Sequence, residues 1–184
     1  VTGARRKDKV LSLLREEGVF PDGEEGGFCE LPAPKRTKTR AFLRIQDGCN
    51  NFCSYCLIPY LRGRTRSRSK EAIVNEAALC GAKEIVLTGI DISSYRDGET
   101  DLGGLLTALS ALPARVRLGS LEAGVITEEF LAQMKEAKDV VPHFHLSLQS
   151  GSSAVLKKMN RHYTREEYLN KCRMIYKAFP SAAI

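Results

Sequence analysis

The sequence contains no tryptophan, only three histidines and 7% aromatic residues in a chain of 184. So few imidazoles leave little from which to build a histidine-based metal centre. No apolar run approaches the roughly 18 residues a membrane span requires, so no membrane partner is expected. The opening segment, residues 1–9, is basic and lacks the apolar stretch of a secretory leader, which points to a cytoplasmic protein. Extremes of composition are missing too: 43% hydrophobic and 27% charged residues exclude a wholly disordered chain. Acidic residues are scarce in one stretch. Residues 35–70 hold ten Lys or Arg against Asp47 alone, while residues 71–184 hold 13 basic and 14 acidic residues. A field concentrated in this way favours a polyanionic partner, nucleic acid first.

What is present is a cysteine cluster. Three of the six cysteines lie together, at Cys49, Cys53 and Cys56. A secreted disulfide framework would spread them in pairs, whereas bunching in a chain without a secretion signal points to reduced thiols and a metal.

Along the chain, residues 5–17 read as a short amphipathic helix and 19–39 as a linker punctuated by Pro21, Gly23, Gly26, Gly27, Pro32 and Pro34. From residue 40 strands and helices alternate. Strands are expected over 41–46, 84–88, 115–120 and 143–149, and helices over 70–80, 102–112, 127–138, 152–159 and 165–179. Residues 181–184 start a fifth strand. Thr164 with Glu167 three residues on is a capping box for the last helix. Such alternation predicts an α/β fold with a parallel sheet, open or closing into a barrel.

The cluster reads Cys49-Asn-Asn-Phe-Cys53-Ser-Tyr-Cys56. Structural zinc takes four ligands, commonly as two CxxC pairs. Three thiolates instead suit three irons of a 4Fe–4S cluster, leaving the fourth iron open for a ligand. Arg44 and Arg62 are candidates to offset the thiolate charge. The C-x3-C-x2-C spacing, with Tyr55 before the last cysteine and a strand before the loop, resembles the radical S-adenosylmethionine superfamily. That resemblance implies that Cys49, Cys53 and Cys56 hold the 4Fe–4S cluster. It also implies that the open iron chelates S-adenosylmethionine, whose reductive cleavage yields a 5′-deoxyadenosyl radical, and that Tyr55 packs near the adenine.

Functional groups of parallel βα folds gather where strands end. After EIVLT come Gly89 and Asp91, with Gly89 allowing close backbone approach to a ligand. This stretch resembles the superfamily's second-strand motif, which meets the amino group of the cofactor. Ser120 and Glu122 follow the third strand on one face. His143, His145, Ser147 and Gln149 form a polar stripe on the fourth, unusual in a parallel sheet and expected to line a wet cavity. The two histidines read as satisfied interior residues rather than metal ligands. The segment Ser-Leu-Gln-Ser-Gly (147–151) resembles the superfamily's fourth-strand region near the ribose. Cys80 and Cys172 read as small core residues. Arg62, Arg64, Arg66 and Arg68 alternate with small residues. In an extended chain all four point one way, each free to neutralise a phosphate of RNA bound beside the cluster.

Taken together, the motifs at 45–69, 85–95, 118–127, 143–152 and 155–164 resemble the methylthiotransferase branch of the superfamily. The nearest likeness is to its tRNA enzymes acting on threonylcarbamoyladenosine next to the anticodon. That resemblance implies sulfur insertion at C2 of the adenine and methylation from a second S-adenosylmethionine. It also implies tRNA and a flavodoxin- or ferredoxin-type electron donor as partners. Arg161 matches a basic position of the branch, which implies a contact with the cofactor carboxylate or the substrate; the alternative is a surface arginine. On the same basis residues 1–38 form the tail of an N-terminal domain plus linker, and 39–184 a partial radical (β/α) barrel truncated after about four βα units. The second 4Fe–4S cluster belongs to the absent N-terminal domain, so this chain alone is expected not to complete turnover. Alternatives are a methylthiotransferase for isopentenyladenosine tRNA or for a ribosomal protein, or a non-catalytic RNA-binding module whose cysteines hold zinc.

Overall fold

The computed structural model describes residues 39–184. The helix expected over 5–17, nearly all of the linker and Cys29 lie outside the described residues. In chain order the elements are β1 (Arg40–Arg44), β2 (Gln46–Asp47), α1 (Ile58–Arg62), β3 (Arg66–Ser67), α2 (Lys70–Cys80) and β4 (Glu84–Thr88). There follow β5 (Arg96–Asp97), β6 (Thr100–Asp101), α3 (Leu102–Leu109), β7 (Arg115–Leu118), β8 (Ser120–Leu121), α4 (Glu128–Glu136), β9 (His145–Leu146), α5 (Ser153–Lys158) and α6 (Arg165–Ala178). Short 3-10 turns occupy Ile92–Ser94 and Ala123–Val125.

The helices start and stop where side chains satisfy their free backbone groups. Ser69 caps α2 by accepting the Ala72 N–H, and Gly81 ends it in a left-handed conformation at φ 55°. Asp101 caps α3 through the Gly104 N–H at 2.9 Å. Thr164 and Glu167 form the expected capping box on α6. Helix α3 ends at Leu109, three residues before the expected Leu112. There the Ser110 hydroxyl donates to the Thr107 carbonyl at 2.7 Å, and the backbone tightens into a turn ahead of Pro113.

Strands β1, β4 and β7 pair in parallel in that order, with Arg40 opposite Glu84 and Glu84 opposite Arg115. The parallel pair β8–β9 and bridges at Val116–Val140 and His143–Ala183 carry the pairing onward. Each strand therefore lies beside the next βα unit in sequence, as in an opening (β/α) barrel. The apolar run EIVLT explains the central place of β4: Ile85 and Leu87 are fully buried, in one core with Leu43, Leu105, Leu106, Val116, Phe130, Phe144 and Ile175. Glu84, the first residue of β4, draws Arg40 (2.5 Å) and Arg117 (3.3 Å) into ion pairs at the amino end of the sheet. The opposite, carboxyl end is left for function.

The fourth strand is much shorter than expected. Only His145–Leu146 pair as a strand. Beyond them the Leu148 and Ser150 N–H groups bond back to the carbonyls of Leu146 and Leu148, so the chain curls instead of extending. Gln149 consequently adopts φ 64°. The fifth strand is reduced to the single bridge at Ala183. Phe144 and Leu146 are buried, but Leu148 on the same face is exposed, and of the polar stripe His145 and Gln149 are exposed and His143 and Ser147 half-buried, so the stripe does not line a closed cavity. His143 keeps a buried Nδ1 without a partner, and His145 Nδ1 lies 2.8 Å from Ser120 Oγ.

Candidate functional site

The site begins where β1 bends. Ile45 N–H still bonds the Thr88 carbonyl of β4, but Gln46 and Asp47 turn away to pair antiparallel with Ser67 and Arg66. The turn passes through Gly48 at φ 74°. A β-carbon there would lie 2.0 Å from the Arg64 carbonyl oxygen and 2.7 Å from that of Gly63, both backbone atoms that cannot swing aside. Gly48→Ala is therefore expected to destabilise the fold by about 2–5 kcal/mol, the sum of left-handed strain and overpacking. An unfolding free energy from chemical denaturation within about 0.5 kcal/mol of the wild type would contradict that reading.

The cysteine loop is gripped from two sides. On one, Cys49 N–H donates to the Gly63 carbonyl at 3.2 Å and Thr65 N–H to Asn50 Oδ1 at 3.2 Å. On the other, Ser54 N–H donates to the Met159 carbonyl, while Asn160 Nδ2 donates to the carbonyls of Asn51 (3.2 Å) and Phe52 (3.0 Å). These bonds hold Phe52 at φ 47°, a conformation a bulky residue adopts only when its surroundings enforce it.

Cys49, Cys53 and Cys56 are free thiols of intermediate exposure. Burial raises the pKa of the Cys49 thiol, opposed by the Asn51 N–H and reinforced by the Asp91 carboxylate, so the bare loop favours the protonated thiol. Among the described residues no three His, Cys, Asp or Glu side chains converge on one ion position. The donor set, three thiols on one loop, suits iron–sulfur ligation.

Cys53 opens onto a cleft of about 220 Å³, lined also by Asn51, Asp91, Glu122, Arg161 and Tyr163. An adjoining hollow of about 290 Å³ shares Gly124, His162 and Tyr163 with it. Arg161, 5% exposed at its side chain, ion-pairs with Glu122 and donates from Nη1 to Cys53 Sγ at 3.3 Å. Burial alone would lower its pKa, but the bonds to Glu122 and Cys53 outweigh that and raise it, so the cation is secure. Asp91 accepts from Asn51 Nδ2 at 3.2 Å through Oδ2, and its Oδ1 is buried without a partner. Burial first, then the Glu122 charge, pushes the Asp91 carboxyl upward. Two carboxylates and one guanidinium in one cleft match an amino-acid head group, with carboxylates for an ammonium and a guanidinium for a carboxylate.

Of the residues singled out from sequence, Cys53, Asp91, Glu122 and Arg161 meet at this cleft. Tyr55 lies beside it, 53% exposed. Gly89 does not face the cleft: its missing β-carbon makes room for Gln46, whose backbone oxygen would be 2.9 Å from it. Ser120 is spent on His145, and Gln149 sits on the exposed curl. Cys80 and Cys172 pack against the core from their helices. Asn51, Asn160 and Tyr163 were not picked out, because single asparagines and tyrosines carry no spacing signal until the chain folds.

The arginine run is not an extended comb. Arg62 ends α1 and reaches Asp47 at 3.6 Å. Arg66 pairs with Asp47 at 3.3 Å and donates to the carbonyls of Arg62 and Arg64. Arg68 is buried against Glu76 of α2. Arg64 is exposed and lies over the Phe52 ring at 4.5 Å. Arg44 also pairs with Asp47, at 3.4 Å, so Arg44 and Arg62 answer that carboxylate rather than the thiols. The lone acidic residue of the basic stretch thus organises it.

The family model described as the Radical SAM superfamily matches residues 43–184. The chain is 44% identical over 92% of its length to the threonylcarbamoyladenosine tRNA methylthiotransferase MtaB of Chlamydia pneumoniae, covering 40% of that protein. It is 40% identical over 84% of its length to a tRNA-2-methylthio-N(6)-dimethylallyladenosine synthase of Pelotomaculum thermopropionicum, covering 36% of that protein. The chain thus spans well under half the length of these curated relatives. Among solved structures, the cobalamin-dependent S-adenosylmethionine radical enzyme OxsB superposes on 74% of this chain and 22% of its own, with a TM-score of 0.58 at 15% identity, a likeness of fold.

Proposed function

We propose that this chain, which belongs to the Radical SAM superfamily, is the cluster-bearing part of a tRNA methylthiotransferase that modifies C2 of an adenosine next to the anticodon. The superfamily's cofactors are a 4Fe–4S cluster and S-adenosylmethionine. The observation that carries the reading is the cysteine loop at the carboxyl end of the sheet, opening through Cys53 onto a cleft lined by Asp91, Glu122 and Arg161. Cys49, Cys53 and Cys56 are the cluster ligands. When bound and reduced, the cluster and S-adenosylmethionine supply hydrogen-atom abstraction.

The chain's own residues orient and shield that chemistry. Arg161 is the counter-charge for the cofactor carboxylate. Asp91 and Glu122 accept from its ammonium, and the unpartnered Asp91 Oδ1 gives that ammonium an acceptor. Tyr55, half exposed and near Cys53 and Arg161, is the ring available to pack near the adenine. Arg64 is the member of the arginine run proposed to meet RNA, a reading supported by its exposure and its contact with the Phe52 ring. A flavodoxin- or ferredoxin-type protein provides the electron. Among the described residues no helix is long and apolar enough to cross a membrane.

Identity does not separate the two substrates, at 44% and 38% to relatives named for threonylcarbamoyladenosine against 40% and 38% to relatives named for dimethylallyladenosine, and the likeness of the motifs at 45–69 and 85–95 is what favours threonylcarbamoyladenosine. Complementing a bacterium that lacks both tRNA enzymes with the full-length protein tests the choice. Mass spectrometry of digested tRNA is expected to show the methylthio group on threonylcarbamoyladenosine alone. Its appearance only on isopentenyladenosine selects the second substrate, and its absence from both overturns the tRNA reading.

A further inference from the structure

Gln46 lies inside the motif at 45–69, which assigns it no role, yet its side chain reaches five polar partners beside the cleft. It is 0% exposed. Its Nε2 lies 2.7 Å from the Gly48 carbonyl, 3.0 Å from that of Asp47 and 2.7 Å from Thr65 Oγ1. Its Oε1 accepts the backbone N–H groups of Ile90 (3.0 Å) and Asp91 (2.7 Å). One carboxamide therefore ties the entrance of the cysteine loop, the 63–65 segment and the loop after β4.

The network continues to Asp91 from every side. Thr65 Oγ1 lies 2.8 Å from Ser94 Oγ, which donates to the Asp91 carbonyl at 2.8 Å. Asn51 of the cysteine loop holds the Asp91 carboxylate at 3.2 Å. The Asp91 N–H, carbonyl and carboxylate thus all lead back to Gln46 or to the loop that Gln46 anchors. Gly89 leaves the space for this, since a β-carbon there would sit 3.0 Å from Gln46 Oε1. The chemistry demands an amide: one end must donate and the other accept, and glutamate or methionine cannot do both. A buried network of this kind sets a unique geometry when fully satisfied and misaligns when one member is lost.

We infer that Gln46 is a positioning residue, which touches no ligand but sets Asp91 at the distance from the cysteine loop that cofactor binding requires. This rests on the reading of the cleft as an S-adenosylmethionine site. The test uses the full-length protein as wild type, Gln46→Met and Gln46→Glu, each reconstituted anaerobically with iron and sulfide. Three quantities are read: iron content, the dissociation constant for S-adenosylmethionine, and amide hydrogen exchange at Ile90 and Asp91 before reconstitution. In Gln46→Met, exchange at both amides is expected to speed about tenfold while Ile85 and Leu87 stay protected. Iron loading stays at the wild-type level and S-adenosylmethionine binds about tenfold more weakly, each factor corresponding to about 1.4 kcal/mol. Gln46→Glu keeps the acceptor, so Ile90 and Asp91 stay protected and affinity falls less than in the methionine variant. Wild-type affinity in an iron-loaded Gln46→Met protein overturns the inference, as does unchanged exchange at Ile90 and Asp91. Failure of both variants to load iron assigns Gln46 to the cysteine loop and also overturns it. A wild-type protein that loads iron but binds no S-adenosylmethionine overturns instead the reading of the cleft.

Discussion

Cys53→Ala is expected to abolish formation of 5′-deoxyadenosine, with product falling to the level of a protein-free control. Three thiolates are the fewest that can hold a cluster while leaving one iron open, so losing one removes the site rather than weakening it. Cys53 is the most exacting choice because its sulfur accepts from Arg161 and lines the cleft. Cys80→Ala and Cys172→Ala are the matched controls. Both thiols sit on helices against the core, with Cys80 donating to the Ala77 carbonyl, and both variants are expected to load iron and form product as the wild type does. The measurement is iron content and 5′-deoxyadenosine after anaerobic reconstitution, reduction and addition of S-adenosylmethionine. A Cys53→Ala protein that retains iron and product would remove Cys53 from the ligand set.

Arg161→Met has the next largest expected effect. Arg161 is the cation of a cleft that holds Asp91 and Glu122, and nearly all of its side chain is out of water. Methionine fills similar volume but leaves two carboxylates and the Cys53 sulfur without a counter-charge. A charge-assisted hydrogen bond contributes about 1.5–3 kcal/mol, so S-adenosylmethionine is expected to bind on the order of 10- to 100-fold more weakly. Glu122 keeps contact with water, so the loss of stability stays below the 3–5 kcal/mol typical of breaking a fully buried pair. Arg161→Lys restores the charge but not the two-pronged reach to Glu122 and Cys53, so it recovers affinity only in part. Equal affinity in Arg161→Met and wild type would detach Arg161 from the cofactor.

Much of the fold was legible in the sequence because local rules agreed with the tertiary ones. Strand β4 runs over the expected residues since an apolar run of that length between a helix stop and a glycine has few other places to go. Helix α2 and the capping box of α6 follow from Ser69, Gly81, Thr164 and Glu167, whose bonds are local. The strand expected over 143–149 fell short because, after the Ser147 N–H has bonded the Leu121 carbonyl of β8, the Leu148 and Ser150 N–H groups turn back to the carbonyls of Leu146 and Leu148 instead of reaching a neighbouring strand.

The site divides along the same line. Cysteine spacing, charge crowding around Asp47 and the strand-end placement of Glu122 are properties of the chain, and the sequence by itself determined the cysteine loop and the superfamily likeness. Only the tertiary structure decided that Arg66 and Arg68 answer Asp47 and Glu76 instead of pointing outward together. A periodicity argument assumes one extended conformation, and that run contains the end of a helix and a two-residue strand. Only folding, too, joined Gln46 to Ile90 and Asp91, residues 44 and 45 positions away. A hydrogen bond needs two atoms within about 3 Å and in line, and no local pattern in a sequence states which distant backbone groups a buried amide will meet.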